Sequence, residues 1–211
     1  AVLLIHGVRS NRLQMLKRAE FLHKAGYSVL LIDLPAHGES EGERITFGAN
    51  ESLAVTAALN FLHSHFPDDR LGVIGVSLGA ASTVLASQKP VLSAVVLESM
   101  YPTIQDAVGD RLQIRLGVLG RWLVPVLMWQ LPLYTGVNAD ELQPELVLSK
   151  LGAPVLIASG DLDLHTRWEE TERLFARAAS PKELWRVSGA AHVDLCDYSF
   201  VEYKQRILKF L

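Results

Sequence analysis

The chain has 211 residues, of which 49% are hydrophobic and 20% are charged, and its formal net charge is −3. This length and composition predict one globular domain spanning residues 1–211 with a sizeable core, and they argue against two independent domains. The small negative charge gives no reason to expect nucleic acid or an anionic membrane as a partner.

Cys196 is the only cysteine, which excludes an intrachain disulfide and a multi-cysteine metal site. A chain without disulfides fits a reducing compartment, so we expect a cytoplasmic location. The sequence starts inside a strand-like run, 1–5, without a Met, so we expect further residues upstream in the natural protein.

Strands and helices are predicted to alternate along most of the chain. Short apolar runs are typical of buried parallel strands, and the segments between them have helical spacing. The predicted strands are 2–5, 27–32, 71–76, 91–97, 153–159 and 182–187, and the predicted helices are 12–24, 49–66, 78–88, 167–178 and 198–211. We therefore expect a doubly wound, mostly parallel sheet with helices on both faces.

The buried faces of the first two helices are also predicted from spacing. The residues expected to face the core are Leu13, Leu16, Phe21 and Leu22 on the first helix and Leu53, Ala57, Ala58, Phe61 and Leu62 on the second.

The alternation lapses between residues 102 and 152, where we predict a helical cap inserted after the fourth strand. Charged and proline residues, including Arg121 and Pro125, interrupt its most apolar part and argue against a membrane span, so membrane contact is not expected. An apolar stripe in this segment is predicted to cover an apolar site, with dimerisation or membrane contact as the alternatives; it consists of Leu116, Leu119, Leu123 and Leu127.

The stretch from Gly75 to Gly79 reads Gly-Val-Ser-Leu-Gly and joins a predicted strand to a predicted helix. A serine at the apex of such a turn has a strained backbone and crowded neighbours, which Gly75 and Gly79 would accommodate. The helix that follows directs free N–H groups toward the same point. We therefore take Ser77 as the candidate nucleophile.

A serine hydroxyl needs a base to accept its proton and an acid to orient that base. His192, in the small-residue loop after the last strand, is the predicted base. His165 lies only two residues from the best acid candidate, which is too close for both tasks. His6 is predicted to shape its loop through ring hydrogen bonds instead.

Asp163, after the fifth strand, is the predicted acid, because it lies far enough along the turn to reach the final loop. Asp161 is expected to bond backbone N–H groups nearby, and Glu98, one strand earlier, is a third candidate. The developing oxyanion also needs two N–H donors, for which we predict the backbone of Leu78 and of Val8.

Five motifs occur in order along the chain: HG at residues 6–7, DLPAHGES at 33–40, GVSLG at 75–79, GDLD at 160–163 and GAAH at 189–192. With these motifs the chain resembles the α/β-hydrolase superfamily, and more loosely the Bem46-like and carboxylesterase-like serine hydrolases. The resemblance implies the strand order 2-1-3-4-5-6, a cap after the fourth strand, and a structural role for the loop that holds Asp33, His37 and Ser40. The serine argues against the branches that use an aspartate nucleophile.

These observations predict a serine esterase that acts on a small-molecule ester with an apolar acyl or aromatic part. Thioesterase, amidase, lactonase and acyltransferase activities would use the same residues, and a binding protein without catalysis is a further alternative. No metal and no nucleotide cofactor are predicted, because His63 and His65 lack a third ligand and the glycines do not fit a phosphate loop.

Overall fold

The computed structural model describes residues 1–87 and 89–211. Within these residues, six parallel strands form one sheet in the spatial order β2-β1-β3-β4-β5-β6. The strands are β1 (Val2–Ile5), β2 (Val29–Ile32), β3 (Gly72–Val76), β4 (Ala94–Glu98), β5 (Val155–Gly160) and β6 (Lys182–Val187). The predicted doubly wound parallel sheet is confirmed, and so is the strand order that the resemblance implied.

Helices connect the strands and cover both faces of the sheet. They are α1 (Leu16–Lys24), α2 (Ala49–His65), α3 (Leu78–Leu85), α4 (Ile104–Leu116), α5 (Val124–Thr135), α6 (Pro144–Val147), α7 (Trp168–Arg177), α8 (Leu195–Tyr198) and α9 (Phe200–Phe210). Short 3₁₀ segments lie at Arg12–Met15, Val118–Leu123, Ala139–Glu141 and Leu148–Lys150. No helix of the described residues is long and apolar enough to cross a membrane.

The core lies on both faces of the sheet because alternate side chains of each strand point in opposite directions. Leu3 and Val73, which are register partners, pack on the face that carries α2 and α3. Leu4 and Ile74, the next register pair, pack on the face that carries α1 and α9. All six strands are parallel, so their carboxyl ends meet at one edge, where loops of different strands can form a site.

Several predicted bounds differ from the structure. The second strand begins at Val29 instead of residue 27 and is only half-buried, because β2 is the last strand on its side of the sheet. The fourth strand begins at Ala94, and Val91, which was assigned to it, is 87% exposed. The helix predicted over residues 78–88 ends at Leu85, and Gln88 lies outside the described residues.

The predicted buried faces of the first two helices are confirmed only in part. Phe21, Leu22, Ala58 and Leu62 are buried as expected, whereas Leu13, Leu16, Leu53, Ala57 and Phe61 are exposed. The first segment begins as a 3₁₀ turn, which shifts the phase of the following helix. Helix α2 carries apolar residues around much of its circumference, so spacing alone does not select its whole buried face. Further buried apolar side chains include Met15 in the first segment and Val55 and Leu59 in α2.

Helices fill the chain between β4 and β5, as the lapse in alternation predicts. The apolar stripe from Leu116 to Leu127, however, does not cover a site. All four of its leucines are exposed, and Leu119 is 77% exposed. Helix α4 lies against the body of the molecule instead and buries Ile104 and Ala107. Gly117, with φ 68°, ends α4, so the stripe does not continue the buried face of that helix.

The junction of β3 and α3 depends on two glycines. A Cβ on Gly79 would lie 2.6 Å from the carbonyl oxygen of Ile5, so α3 approaches β1 more closely than any side chain permits. A Cβ on Gly75 would lie 2.7 Å from the backbone nitrogen of Ala80. Backbone atoms cannot move aside as a flexible side chain can, so the close contact requires glycine at both positions.

A buried charged cluster ties α4 to α7. Asp110 of α4 lies 3.0 Å from Arg167 Nε and 3.3 Å from Arg121 Nη1, and Arg167 also binds Glu170 of α7 at 3.0 Å. Burial, followed by the charge of Asp110, raises the pKa of Glu170 to about 7. Two carboxyl groups held together out of water do not both ionise readily, so the pair holds a proton near neutral pH.

We predict that Gly79→Ala destabilises the fold. The new methyl group meets backbone carbonyls, and overpacking of this kind costs about 1–3 kcal/mol, which corresponds to roughly 2–4 °C of melting temperature for each kcal/mol. Gly109→Ala is the matched control, since a Cβ at that helical position has its nearest contact at 3.5 Å. Thermal unfolding followed by circular dichroism compares the two. Equal melting temperatures for both variants would contradict the packing described.

We also predict that Glu170→Gln makes the protein less sensitive to pH. The folded protein keeps this proton up to a pKa of about 7, above the ordinary 4.5, so the contribution of Glu170 to folding stability is greatest below pH 4.5 and is lost as pH rises between these values. The glutamine cannot ionise. The melting temperature of the variant should therefore rise relative to that of the wild type as pH increases across this range.

Glu169→Gln, an exposed change on the same helix, controls for the loss of one negative charge. A variant at Glu170 that becomes relatively less stable as pH rises would have the wrong sign.

Candidate active site

Ser77 lies at the turn between β3 and α3, at the carboxyl edge of the sheet. Its φ is 49° and its ψ is −106°, which is a strained conformation for a residue with a side chain. A hydrogen bond of 2.7 Å from its backbone nitrogen to the carbonyl oxygen of Glu98 fixes the turn against β4. Its Oγ is buried and has no hydrogen-bond partner among the described residues.

Asp163 and His192 are hydrogen-bonded. The imidazole Nδ1 lies 2.7 Å from Asp163 Oδ2, and the aspartate side chain is fully buried whereas the imidazole is 26% exposed. Asp163 also accepts hydrogen bonds from the backbone nitrogens of His165 and Thr166 and from the Thr166 hydroxyl. These contacts hold the carboxylate toward the histidine and leave the ring nitrogen Nε2 facing away from it.

The environment of Asp163 keeps it ionised. Burial by itself would raise the pKa of this carboxyl, but the hydrogen bond and charge of His192 and the donors of Thr166 and His165 together lower it. A negative charge beside the imidazole stabilises its protonated form, which a general base must adopt when it takes a proton.

Ser77 and His192 share a cavity of about 280 Å³ at the edge of the sheet, and Val8 lines it too. Within the described residues, Ser77 Oγ and the imidazole are neighbours across this space without a direct hydrogen bond. In unliganded enzymes, such contacts are often long and shorten when substrate binds. The structure thus brings Ser77, His192 and Asp163 together from three separate loops.

The two predicted N–H donors flank Ser77. Leu78 is the first residue of α3, so its N–H points out of the helix end, and Val8 lies in the loop after β1. Neither N–H has a partner among the described residues. Gln14 Oε1 accepts from the nitrogen of Gly7 at 3.1 Å and holds the β1 loop in place. Both unpartnered N–H groups therefore belong to residues that line the same cavity as Ser77.

The two alternative acids are engaged elsewhere. Asp161 accepts a 2.6 Å hydrogen bond from the backbone nitrogen of Gly189, so it bonds a backbone N–H as expected, although that group belongs to the histidine loop and not to its own turn. Glu98 forms a buried ion pair with Arg18 at 2.7 Å and a hydrogen bond with Tyr203. Neither carboxylate contacts His192 in the described structure.

The histidine at the end of β1 is structural. Leu34 donates its backbone N–H to His6 Nε2 at 3.0 Å, and His6 Nδ1 lies 2.7 Å from the carbonyl oxygen of Gly7. The neighbouring loop is shaped by Asp33, which accepts from the backbone nitrogens of Arg12 and Glu39. His37 of this loop lies against His6, with a distance of 5.2 Å between the ring centroids, and does not line the cavity shared by Ser77 and His192. These contacts hold the loops in position beside Ser77.

A buried network underlies the histidine loop. Besides Glu98, the fully buried Arg18 binds Asp194 at 2.8 Å, and Tyr203 of α9 accepts from Arg18 Nε at 2.8 Å. Gln14 donates to the same Asp194, which lies two residues after His192. The network therefore connects the loop that carries the histidine with the loop after β1.

A second cavity, of about 380 Å³, also opens at Ser77. Apolar side chains form most of its wall, and they come from the loop before α2, from the chain after β4 and from α4. They include Ile45, Phe47, Tyr101, Ile104, Ala107, Val108 and Ile114. The cavity can hold an apolar group next to the hydroxyl.

Sequence reasoning did not identify Arg111, which lines both cavities together with His165. Arg111 lies seven residues after Ile104 and four after Ala107, so it shares the buried face of α4 with them. This spacing in the sequence indicates that Arg111 shares a face with Ile104 and Ala107. It could not show that the face points at Ser77, since α4 lies far from Ser77 along the chain. His165 was considered as a base, and its ring lies 5.0 Å from that of His192.

Comparison with known proteins places this geometry in a family. Residues 2–205 match the model of a family described as "Alpha/beta hydrolase family". Among solved structures, an esterase of Pyrococcus furiosus, Pf2001, is similar, with a TM-score of 0.79 and 30% identity over 100% of this chain and 80% of that chain.

Curated proteins with similar sequences include the following two. The uncharacterized protein YqkD of Bacillus subtilis is 25% identical over 100% of this chain and 70% of its own length. The uncharacterized protein Rv2307c of Mycobacterium tuberculosis is 32% identical over 92% of this chain, which spans 63% of that relative. The match of the family model to nearly the whole chain decides the assignment: the chain belongs to the alpha/beta hydrolase family.

Proposed function

We propose that the protein is a serine hydrolase that cleaves carboxylic esters through an acyl-enzyme intermediate. The observation that carries this proposal is the arrangement of three side chains. Ser77 lies unpartnered on a strained turn and shares a cavity with His192, whose other ring nitrogen binds the buried Asp163. The similarity to the esterase of Pyrococcus furiosus supports the same reaction class.

In the proposed acylation step, Ser77 Oγ attacks the ester carbonyl carbon while His192 Nε2 accepts the hydroxyl proton. Asp163 holds the imidazole by its Nδ1–H and stabilises the imidazolium that forms. The tetrahedral intermediate collapses as His192 returns the proton to the leaving alcohol. The acyl group is then attached to Ser77.

The negative charge of the intermediate needs donors that are already in place. The free N–H groups of Leu78 and Val8 supply them, and each such donor is typically worth about 3–4 kcal/mol of transition-state stabilisation. Water then attacks the acyl-enzyme with His192 as base, and the carboxylic acid is released.

The apolar cavity of about 380 Å³ that opens at Ser77 favours an apolar acyl or aromatic part in the substrate. Its walls come from α4, from the chain after β4 and from the loop before α2, so this part of the helical segment forms the acyl pocket. The exposed stripe further along the segment takes no part in it.

We predict that Ser77→Ala removes turnover of p-nitrophenyl butyrate. Loss of a serine nucleophile in such enzymes typically costs about 10⁶ in kcat, so the residual rate should approach the uncatalysed background. Release of p-nitrophenol measures the rate, and circular dichroism checks that the variant is folded. Labelling with a fluorophosphonate should modify the wild type at Ser77 and leave the variant untouched.

Undiminished hydrolysis by folded Ser77→Ala would overturn the assignment of the nucleophile. A folded wild type that neither hydrolyses esters nor reacts with the probe would favour the alternative of a binding protein. Addition of an alcohol acceptor separates hydrolysis from acyl transfer by the products formed.

We predict that Asp163→Asn lowers kcat by about 10³–10⁴, because the amide removes the charge and favours the wrong tautomer of the histidine. Steady-state kinetics with p-nitrophenyl butyrate measures the loss.

Asp161→Asn is the matched control, since it alters a neighbouring carboxylate that contacts Gly189 and not His192. This control should retain activity within about tenfold of the wild type. A large loss in Asp161→Asn together with normal activity in Asp163→Asn would reverse the assignment of the acid.

A further inference from the structure

Most arginines of the described residues form an ion pair with a carboxylate, but a few do not. Among the described residues, Arg9, Arg70, Arg111 and Arg115 form no ion pair with a carboxylate, whereas the remaining arginines do. Three of these four line the apolar cavity of about 380 Å³. An accumulation of unpaired positive charge at one apolar cavity requires an explanation.

Arg111 is the most deeply placed of the three. Arg9 and Arg115 are exposed at the cavity rim, whereas Arg111 is half-buried and also lines the space between Ser77 and His192. Within the described residues, Arg111 Nη1 donates a hydrogen bond of 2.7 Å to the carbonyl oxygen of Ala107 in the same helix. A guanidinium has five N–H donors, so most of those of Arg111 are free to bind a ligand.

Burial among apolar side chains makes the positive charge of Arg111 energetically unfavourable unless an anion lies beside it. Apolar side chains such as Ile104, Val108 and Ile114 surround it in the cavity wall, and the described lining contains no aspartate or glutamate. Burial also lowers the pKa of Arg111, because removal from water disfavours the charged guanidinium. Asp110 and Asp163 lie near enough to favour the charged form of Arg111 in part, but Asp110 is ion-paired with Arg121 and Arg167, and Asp163 is bonded to His192. Asp194, which lines the smaller cavity, is ion-paired with Arg18. A negatively charged ligand group would compensate for this cost.

We propose that Arg111 binds a carboxylate on the substrate's acyl chain, so that the enzyme prefers half-esters of dicarboxylic acids to neutral esters of equal length. This inference rests on the proposed function and names its substrate class. The planar guanidinium fork matches a carboxylate with two parallel hydrogen bonds. The methylene groups between the carboxylate and the ester lie along the apolar wall that joins Arg111 to Ser77. Arg9 and Arg115 add positive potential at the entrance.

The test compares p-nitrophenyl adipate, which carries a free carboxylate, with p-nitrophenyl hexanoate, which has the same number of acyl carbons and no charge. Rates are corrected with Ser77→Ala as the blank. We expect the wild type to have the higher kcat/KM for the adipate half-ester. Because Arg111→Gln removes a charge-assisted hydrogen bond to the ligand, it should lower the adipate-to-hexanoate ratio on the order of 10- to 100-fold, mainly through KM.

Two variants control for indirect effects. Arg70→Gln removes an unpaired arginine that does not line the cavity and should leave the ratio unchanged. Arg111→Lys keeps the positive charge but lacks the planar pair of N–H donors, so it should retain part of the preference for the adipate half-ester. A wild type that favours hexanoate, or an Arg111→Gln variant that lowers both rates equally, would overturn the proposal.

A binding experiment separates this inference from the proposed function. Ser77→Ala should bind monomethyl adipate more tightly than methyl hexanoate in isothermal titration calorimetry, and Ser77→Ala/Arg111→Gln should lose that difference. If the wild type turns over neither ester while this binding preference is present, the reaction is wrong and the carboxylate site stands. If hexanoate is hydrolysed and neither measurement shows a preference for the charged ligand, the reaction stands and the carboxylate site is wrong.

Discussion

The close packing of α3 against β1 is the constraint on which the rest of the structure depends. The absence of a side chain at Gly79 lets the helix start directly above the carbonyl groups of Ile5 and His6, and Gly75 makes room for the turn before it. The strained φ of Ser77 follows from this contact, because the chain must reverse direction within one residue. The hydroxyl is thereby lifted from the sheet edge while the N–H of Leu78 stays beside it.

The charges near this turn are arranged so that each has a defined task. The buried carboxylate of Asp163 is supported by several donors and faces one ring nitrogen of His192. Glu98, although equally close to the edge of the sheet, is neutralised by Arg18. The two buried carboxylates therefore differ in their partners: Glu98 binds an arginine, whereas Asp163 directs an oxygen at the imidazole of His192.

Much of this arrangement could be predicted from local sequence. The turn at Ser77 and the choice of Asp163 over Asp161 as the partner of His192 follow from short motifs, because the chemistry of each loop is determined within a few residues, whereas the strand order was implied by the family resemblance that those motifs carry. The buried face of α2 was predicted only in part, since apolar residues occur around most of that helix. The tertiary contact of the helix with the sheet, and not its own spacing, selects the face.

In the helical segment between β4 and β5, local sequence was also insufficient to identify the residues that line the cavity at Ser77. Its leucine stripe has the stronger periodic signal, yet the residues that reach the cavity are on α4, where Arg111 interrupts an apolar face. A charge in such a face has no local explanation. Only the placement of α4 beside Ser77, a contact between distant parts of the chain, gives it one.

The buried network around Arg18 has a consequence for how the protein matures. Arg18 of α1 and Tyr203 of α9 are separated by 185 positions, and Glu98 and Asp194 lie between them in the chain. The turn at Ser77 rests on β1, β3, α3 and the carbonyl of Glu98 at the end of β4, whereas the histidine loop rests on a network completed by the final helix. The two halves of the site can therefore be joined only when synthesis reaches α9.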